Sequence, residues 1–461
     1  MRAKPRKWQS QCIETALKHY NTTRHFFCQA TPGAGKTRMA AELAKSLLEQ
    51  DKIDLVLCFA PSCQVVDGFR STFSAVIGKR LDGLIGAIGS ASTYQAMEFQ
   101  NEEFWRLFDD YRVFAVFDEI HHCSGYDPLL SNAWGQQILQ RMQDRAAFTL
   151  ALSGTPWRSD DKTIALARYS NPEGRLICDY RYGLKDAIAD GVCRSPRIIL
   201  LDNQMLRLTE EVASSSIIRL FPNIEKLLRE SPVSYEDLLC HESAINQLLD
   251  LGRKKLDEVQ NLKPDAAGLV VATSIQHAHQ VALVLESKGE TFQIVTTKTP
   301  DAQQVINDFK NSDCRWIVAV GMISEGTDIP RLQVCCYLSR IRTELHYRQV
   351  LGRILRRVGE IDDRAWLFVL AEPTLTQFSH RIGEDLPDDL AILSAVGRGE
   401  PIVWAATEDA VASMQDESEG KFNVMSATSA RGFLSTSDSA AVTSYQISFS
   451  KDYRQQLLAV F

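Results

Sequence analysis

Apolar positions along this chain fall into two alternating patterns. Short unbroken runs occur at FFCQA (26–30), DLVLCFA (54–60), VFAVFDE (113–119) and FTLALSG (148–154). Each has the length of one strand and no polar alternation, which predicts strands covered on both faces. Between the first two runs, KTRMAAELAKSLLEQ places Met39, Ala40, Leu43, Ala44, Leu47 and Leu48 at three-and-four spacing, the stripe of an amphipathic helix. Strand–helix alternation of this kind predicts a parallel sheet with helices on both faces.

The same alternation returns in GLVVAT (268–273), RWIVAVGM (315–322), VCCYLS (334–339) and AWLFVL (365–370). The fold class expected is therefore α/β, with two parallel-sheet domains in tandem. Residues 1–175 form the first, 176–202 a linker and the first strand of the second, and 263–400 the body of the second. Between them, 203–262 is charged and helix-patterned, as in NIEKLLRE and AINQLLDLGRKKLDEVQ, and is read as a helical insertion. From 401 to 461 the composition shifts to Ser, Thr and Ala, which predicts a flexible tail or a small accessory module.

A chain of 461 residues with 45% hydrophobic content accommodates two or three domains with real cores. The net charge of −7 argues against a general cationic coat. It does not exclude nucleic acid, for which a local basic stripe suffices. Eleven cysteines without C-x-x-C spacing read as free thiols in a reducing compartment, and a cytoplasmic location is expected. The basic start MRAKPRKWQSQ has no apolar stretch behind it and is not read as a secretory signal. No run of 18 apolar residues exists, so no membrane span is expected.

Two stretches carry chemistry. ATPGAGKT (30–37) lies between a predicted strand and a predicted helix, the context that gives a glycine-rich loop its force. Gly33 and Gly35 let backbone N–H groups converge on phosphate oxygens. Lys36 adds charge at the terminal phosphates and Thr37 a hydroxyl for Mg²⁺, while the helix end favours an anion. Ala30 stands where the strict pattern has glycine. The second stretch, VFDEIHHCSG (116–125), ends a buried run with Asp118, Glu119, His121, His122 and Cys123. A zinc cage is one reading, but zinc sites need ligands separated by turns, and neighbouring strand residues face opposite ways. The other reading gives Asp118 to a Mg²⁺ that arrives with a nucleotide and Glu119 to the attacking water. His122 and Cys123 are then packing or loop residues.

Taken together these motifs resemble those of a superfamily 2 helicase or translocase of the DExH type. ATPGAGKT resembles motif I, DEIH (118–121) motif II and SGTPWR (153–158) motif III. RKWQ resembles the adenine-reading Q motif, which implies cofactor contacts from Arg6 and Gln9, with Trp8 packing nearby. In the second half, ATS (272–274), GMISEGTDIP (321–330) and QVLGRILRR (349–357) resemble motifs IV, V and VI. DYRYGLKDAIADGVCRSPRIILL (179–201) resembles the inter-domain connection of the restriction-enzyme motor and excision-repair branch, which favours DNA over RNA.

The resemblance implies two RecA-like domains that bind ATP and Mg²⁺. It implies nucleotide contacts from Thr31, Pro32, Gly33, Ala34, Gly35, Lys36, Thr37, Gly326 and Asp328. Metal contacts would come from Thr37 and Asp118. Chemistry falls to Lys36, Asp118, Glu119, His121, Gln349, Arg353 and Arg356, with His121 as a switch and the two arginines facing the γ-phosphate from the second domain. Pro61, Ser62, Thr93, Gln95, Thr273, Ser274 and Thr327 would grip a nucleic-acid backbone, with little sequence specificity. Some of Arg340, Arg342, Arg348 and Arg357 would meet phosphates and others would be structural. A protein partner could use the insertion or the tail. An ATP-dependent DNA helicase or translocase is the leading expectation. The alternatives are an RNA helicase, a duplex-DNA motor subunit of a restriction or defence complex, and a non-catalytic clamp that uses ATP as a switch.

Overall fold

The computed structural model describes residues 4–125, 132–156, 163–170, 176–212, 215–321, 329–357, 359, 364–384, 444–449 and 453–458. Two compact units result. The first holds Met1–Cys193 together with Arg348–Arg357, and the second the greater part of the remainder.

In the first unit, β1 (His25–Ala30), β2 (Leu55–Ala60), β3 (Gly89–Thr93), β4 (Val113–Phe117) and β5 (Phe148–Ser153) are four of the predicted runs plus one more. With β8 (Tyr180–Tyr182) they form one sheet in the order β3-β2-β4-β5-β1-β8, parallel throughout. Two two-residue strands, β6 (Arg168–Tyr169) and β7 (Leu176–Ile177), make a separate small ribbon. α1 (Lys7–His19), α2 (Lys36–Glu49), α3 (Cys63–Ile77), α4 (Tyr94–Met97), α5 (Glu102–Asp110), α6 (Ala133–Gln137) and α7 (Leu184–Ala189) complete the unit. The buried side of α2 is Met39, Ala40, Ala41, Leu43, Ala44 and Leu47, close to the stripe read from the sequence. Phe27, Phe59, Tyr94, Trp105 and Phe117 form the centre of one core layer.

The second unit has a seven-stranded sheet. β9 (Ser195–Asn203), β12 (Ala267–Ala272), β13 (Phe292–Thr296), β14 (Trp316–Val320), β15 (Leu332–Leu338) and β16 (Arg364–Leu370) run parallel in the order β13-β14-β12-β15-β16-β9. β18 (Tyr453–Leu458) closes the β9 edge antiparallel. β10 (Leu206–Val212), β11 (Ser215–Phe221) and β17 (Ser444–Phe449) form a second, antiparallel sheet. The helices are α8 (Ile224–Glu230), α9 (Tyr235–Leu239), α10 (Glu242–Gln260), α11 (Ile275–Ser287), α12 (Ala302–Lys310) and α14 (Pro373–Glu384), with the start of α13 (Glu344–Ile354), whose residues from Arg348 onward belong to the first unit.

Three boundaries differ from the sequence reading. The stretch 176–202 contributes β8 to the first sheet before β9 enters the second, because Tyr182 stacks on the buried Trp8 with ring centroids 4.7 Å apart. The segment 203–262 is helical only from Ile224 onward. Its first part is the β10–β11 hairpin, where Leu206 and Leu208 alternate with exposed or half-exposed neighbours at the period of a strand. In the tail, β17 and β18 pair with β10 and β9 respectively, so strand partners far back in the sequence decide their structure. The rest of that tail, residues 401–443, 450–452 and 459–461, lies outside the described residues.

Trp316 shows how tightly the second core is fitted. It is fully buried, and its indole N–H donates to Glu290 Oε2 at 3.1 Å. Room for its ring comes from two glycines. A Cβ on Gly268 of β12 would stand 2.3 Å from ring carbons, and one on Gly252 of α10 would stand 3.2 Å from the ring. Gly268→Ala is therefore expected to cost about 1–3 kcal/mol through overpacking. Thermal unfolding of the purified variant, followed by near-ultraviolet circular dichroism, should show a melting temperature several degrees lower; an unchanged value would mean that the ring can move aside.

Candidate nucleotide site and strand-edge residues

The phosphate loop turns at Gly33 (φ 81°) and Gly35 (φ 90°), both in the left-handed region that side chains disfavour. α2 begins immediately after, with Lys36 and Thr37 in its first turn. Ala30 ends β1 fully buried, and its carbonyl accepts from Lys36 Nζ at 3.3 Å. At the end of β5, a Cβ on Gly154 would meet Pro32 Cδ at 3.0 Å and Lys36 Nζ at 3.1 Å. A glycine is needed there for β5 to close against the loop.

Asp118 and Glu119 follow β4. Asp118 is pinned by its backbone: its N–H donates to Phe59 O at 2.9 Å, and its carbonyl accepts from Tyr94 Oη at 2.7 Å. Its Oδ1 is buried with no hydrogen-bond partner. Glu119 has φ 48° and ψ 50°, an uncommon conformation for a side-chain-bearing residue, and such strain concentrates at functional positions. The turn aims Glu119 at the loop, with Oε1 3.1 Å from Lys36 Nζ. Oε2 accepts from Ser153 Oγ and from Gly154 N, each at 3.3 Å. His121 is buried; its Nδ1 lies 2.9 Å from Ser153 Oγ and 3.4 Å from Glu119 Oε2.

The two carboxyls titrate in opposite directions. Burial, and then the charge of Glu119, raise Asp118 above the usual carboxylate range. Burial pushes Glu119 the same way, but Lys36 and His121 together outweigh it and hold Glu119 low. Lys36 is raised because its carboxylate neighbours outweigh its own burial. A buried, unpartnered carboxylate oxygen that resists ionisation suits a divalent cation, which would supply the missing positive charge. The donor set of Thr37 and Asp118 therefore fits Mg²⁺ delivered with a nucleotide. The run DEIHHC does not gather into a cage: His121 turns to Ser153, the backbone carbonyl of His122 bonds Asn132, and Cys123 is buried in the apolar core.

α1 lies directly on the loop. Arg6 Nη1 and Trp8 Nε1 donate to Ala34 O at 2.8 and 3.2 Å, and Gln9 Nε2 donates to Gly35 O at 3.0 Å. Gln9 Oε1 accepts from Arg6 N at 2.8 Å. Each end of the Gln9 amide thus makes one hydrogen bond within the protein, so Gln9 also supports the loop. Thr31 is buried and its N–H donates to Tyr182 O.

The segment Arg348–Arg357 belongs to the same compact unit as this loop. A Cβ on Gly352 would stand 2.7 Å from Pro32 Cβ, and one on Gly33 would stand 3.2 Å from Arg356 Cγ. Gln349 is buried, while Arg353 and Arg356 are partly exposed. Gly326, Thr327 and Asp328, like Trp157 and Arg158, lie outside the described residues.

The remaining candidates sit at carboxyl ends of parallel strands, where open α/β sheets bind ligands. Ala60 pairs with Thr93 in the first sheet, which brings Pro61, Ser62, Thr93 and Gln95 to one edge. Ser62 Oγ is buried without a partner, and Gln95 is exposed. Thr93 Oγ1 accepts from Ala96 N and Ser274 Oγ accepts from His277 N, so both side chains also cap helices. Thr273 and Ser274 follow β12 at the corresponding edge of the second sheet. Tyr94 and Ser153 also belong to the site. Their signals in the sequence are membership of TYQ (93–95), the stretch that holds Thr93 and Gln95, and of SGTPWR (153–158), because their hydrogen bonds to Asp118 and Glu119 link positions distant in sequence.

Residues 2–158 match the family "Type III restriction enzyme, res subunit", and residues 252–358 match "Helicase conserved C-terminal domain". The chain belongs to helicase superfamily 2. An uncharacterized protein of Mycobacterium leprae is 28% identical over 446 residues, covering 92% of this chain and 71% of the relative. One from Mycobacterium tuberculosis is 30% identical over 393 residues, covering 81% and 62%. The chain thus spans between 62% and 71% of the length of these relatives. The DNA 3'-5' translocase XPB2 of Sulfurisphaera tokodaii is 22% identical over 376 residues, covering 76% of this chain and 78% of the translocase.

Among solved structures, a fragment described as the HsdR subunit of a type I restriction enzyme from Vibrio vulnificus superposes with a TM-score of 0.55 at 15% identity. That match covers 81% of this chain and 65% of the other. The ATP-dependent Type ISP restriction-modification enzyme LlaBIII bound to DNA gives 0.52 at 16% identity, covering 80% and 28%. These show a shared fold of two RecA-like parallel-sheet domains. Such superfamily 2 domains are helicase-family ATPase domains.

Two substitutions test the nucleotide site. Lys36→Ala is expected to lower ATP turnover by at least about 100-fold, because it removes the only side-chain charge within the loop itself. Glu119→Gln keeps the shape but cannot take a proton, and is expected to lose about 10²–10⁴ in turnover while retaining nucleotide affinity. Phosphate release and fluorescent-nucleotide binding, measured on both variants, check this. Near-wild-type turnover in either one would remove that residue from the chemistry.

Proposed function

We propose that this superfamily 2 protein is an ATP-dependent DNA helicase or translocase. The observation that carries the reading is the cluster at the end of β4. There an unpartnered Asp118 oxygen and a strained, Lys36-paired Glu119 face a glycine-turned loop. A non-catalytic clamp would have no use for two carboxylates held in different protonation tendencies. The choice of DNA is supported by the DNA translocase among the relatives and by the linker segment 179–201.

In this reading the backbone N–H groups of Gly33 and Gly35 and the Lys36 ammonium hold the phosphates of ATP, while Thr31, Pro32 and Ala34 shape the loop between them. Mg²⁺, held by Thr37 and Asp118, would supply charge neutralisation on the terminal phosphates. Glu119 orients the attacking water and accepts its proton, since it is kept ionised by Lys36. Arg353 and Arg356 stabilise charge that develops on the transferred phosphoryl group, and Gln349, on α13 with Arg353, assists in positioning. His121 reports the state of Glu119 to Ser153 and so to the motif that follows β5. Pro61, Ser62, Thr93, Gln95, Thr273, Ser274 and Thr327 contact a DNA backbone, and Gly326 and Asp328 contribute to nucleotide handling. The location is cytoplasmic. A second reading, a duplex-tracking motor that leaves strands paired, is favoured by the restriction-subunit family match over the first 158 residues.

ATP turnover is expected to rise on adding DNA and to fall again with salt, because each neutralised phosphate releases counterions. Arg353→Ala and Arg356→Ala should each lower DNA-saturated turnover by about 10³-fold, roughly 4 kcal/mol, with DNA affinity largely retained. Phosphate release across single-stranded, duplex and forked DNA and RNA, paired with strand-displacement and triplex-displacement assays, tests the whole reading. Absence of stimulation by every DNA would overturn it. Stimulation with triplex displacement but no strand separation would select the duplex motor.

A further inference from the structure

The insertion places one acidic side chain where the proposed DNA track crosses the second sheet. β12 and β15 are neighbours and pair Ala272 with Leu338, so Thr273 and Arg340 emerge side by side at their carboxyl ends. Glu236 of α9 reaches both. Its Oε1 accepts from Thr273 Oγ1 at 3.5 Å, and Arg340 Nη1 donates to Oε1 and Oε2, each at 3.3 Å. A hydroxyl and a guanidinium converging on two anionic oxygens is the arrangement that also receives a backbone phosphate.

α9 is anchored firmly, while the contacts of its Glu236 carboxylate are long and exchangeable. Tyr235, Leu238 and Leu239 are buried and anchor α9. Ser234 and Asp237 cap its start reciprocally, and Tyr445 of β17 donates to Asp237 Oδ2 at 2.7 Å. Arg340 is 60% exposed and touches Glu236 through a single nitrogen, so the pair is a weak, solvent-screened one. Arg342, two residues on, is differently placed: it pairs with the buried Glu372, which caps α14. Arg340 is thus a basic group that the fold leaves readily available at this edge.

We infer that Glu236 occupies the position of a DNA phosphate between Thr273 and Arg340, and must be displaced when DNA engages the second unit. The carboxylate lowers DNA affinity and masks one cationic contact until the strand arrives. This rests on the reading of Thr273 as a strand-contact residue, and the experiment separates the two. Anisotropy of a labelled single-stranded DNA oligonucleotide is measured with the full, nucleotide-free chain over a range of salt concentrations. Variants are Glu236→Gln, Thr273→Ala, Arg340→Ala, the Glu236→Gln/Arg340→Ala double variant, and Glu225→Gln on α8 as a charge-matched control.

Glu236→Gln is expected to bind about two- to fivefold tighter. Its plot of log affinity against log salt should be steeper by up to about 0.7, one extra phosphate contact on a single strand. Both changes should vanish in the Arg340→Ala background and be absent in the control. If Arg340→Ala and Thr273→Ala weaken binding but Glu236→Gln does not tighten it, the track reading survives and the placeholder role is wrong. An equal gain in Glu225→Gln would reduce the effect to net charge and overturn it too. Unchanged affinity in both Arg340→Ala and Thr273→Ala would remove this edge from the track altogether.

Discussion

Two carboxylates on consecutive residues at the end of a buried strand repel each other and lose hydration together. The first unit resolves this with one cation. Lys36 sits 3.1 Å from Glu119 and keeps it ionised, while Asp118 is left with a buried oxygen and a raised affinity for protons. Much of the surrounding architecture serves that balance. The loop glycines bring Lys36 to the strand end, the left-handed turn at Glu119 separates the two side chains, and Gly154 lets β5 close behind them.

The same cluster connects to elements that do not touch its charges. Tyr94, from the strand-edge motif TYQ, donates to the carbonyl of Asp118. Ser153, from the end of β5, bridges Glu119 and His121. α1 reaches the loop from another side through Arg6, Trp8 and Gln9. In the proposed reading, a change of charge at the site would act on hydrogen bonds that lead to a strand edge and to the end of β5, and so link nucleotide state to strand contact.

The second unit uses its added segments differently. The β10–β11 hairpin and α9 come from one insertion, and β17 and β18 come from the far end of the chain. β18 covers the β9 edge, and Tyr445 of β17 ties down α9 beside the end of β12. Covering an edge removes a row of unpaired backbone groups. It also sets a rigid support from which Glu236 faces Thr273 and Arg340.

Most of the sheet architecture was legible because strands buried on both faces leave unbroken apolar runs, and a helix between them leaves a 3.6-residue stripe. Gly33, Gly35, Lys36, Asp118 and Glu119 were legible because loop and strand-end chemistry is local: each residue acts at a place its own neighbours define. What required tertiary structure was every feature that depends on a partner far along the chain. The β10–β11 hairpin has strand-like apolar positions in LRL and IIRLF, but its sheet is completed by β17, more than 200 residues later, as in the pairing of Leu206 with Phe449. Gln9 matches a base-reading motif by type, and its bonds to Arg6 and Gly35, which support the loop, come from the packing of α1. Arg340 and Arg342 look alike in a basic stretch, but Glu372 binds one within the fold while Glu236 holds the other loosely at an edge. Sequence determines which chemical groups are present and how the chain is locally shaped. Which of those groups are neutralised, capped or left exchangeable is set by what the fold brings against them.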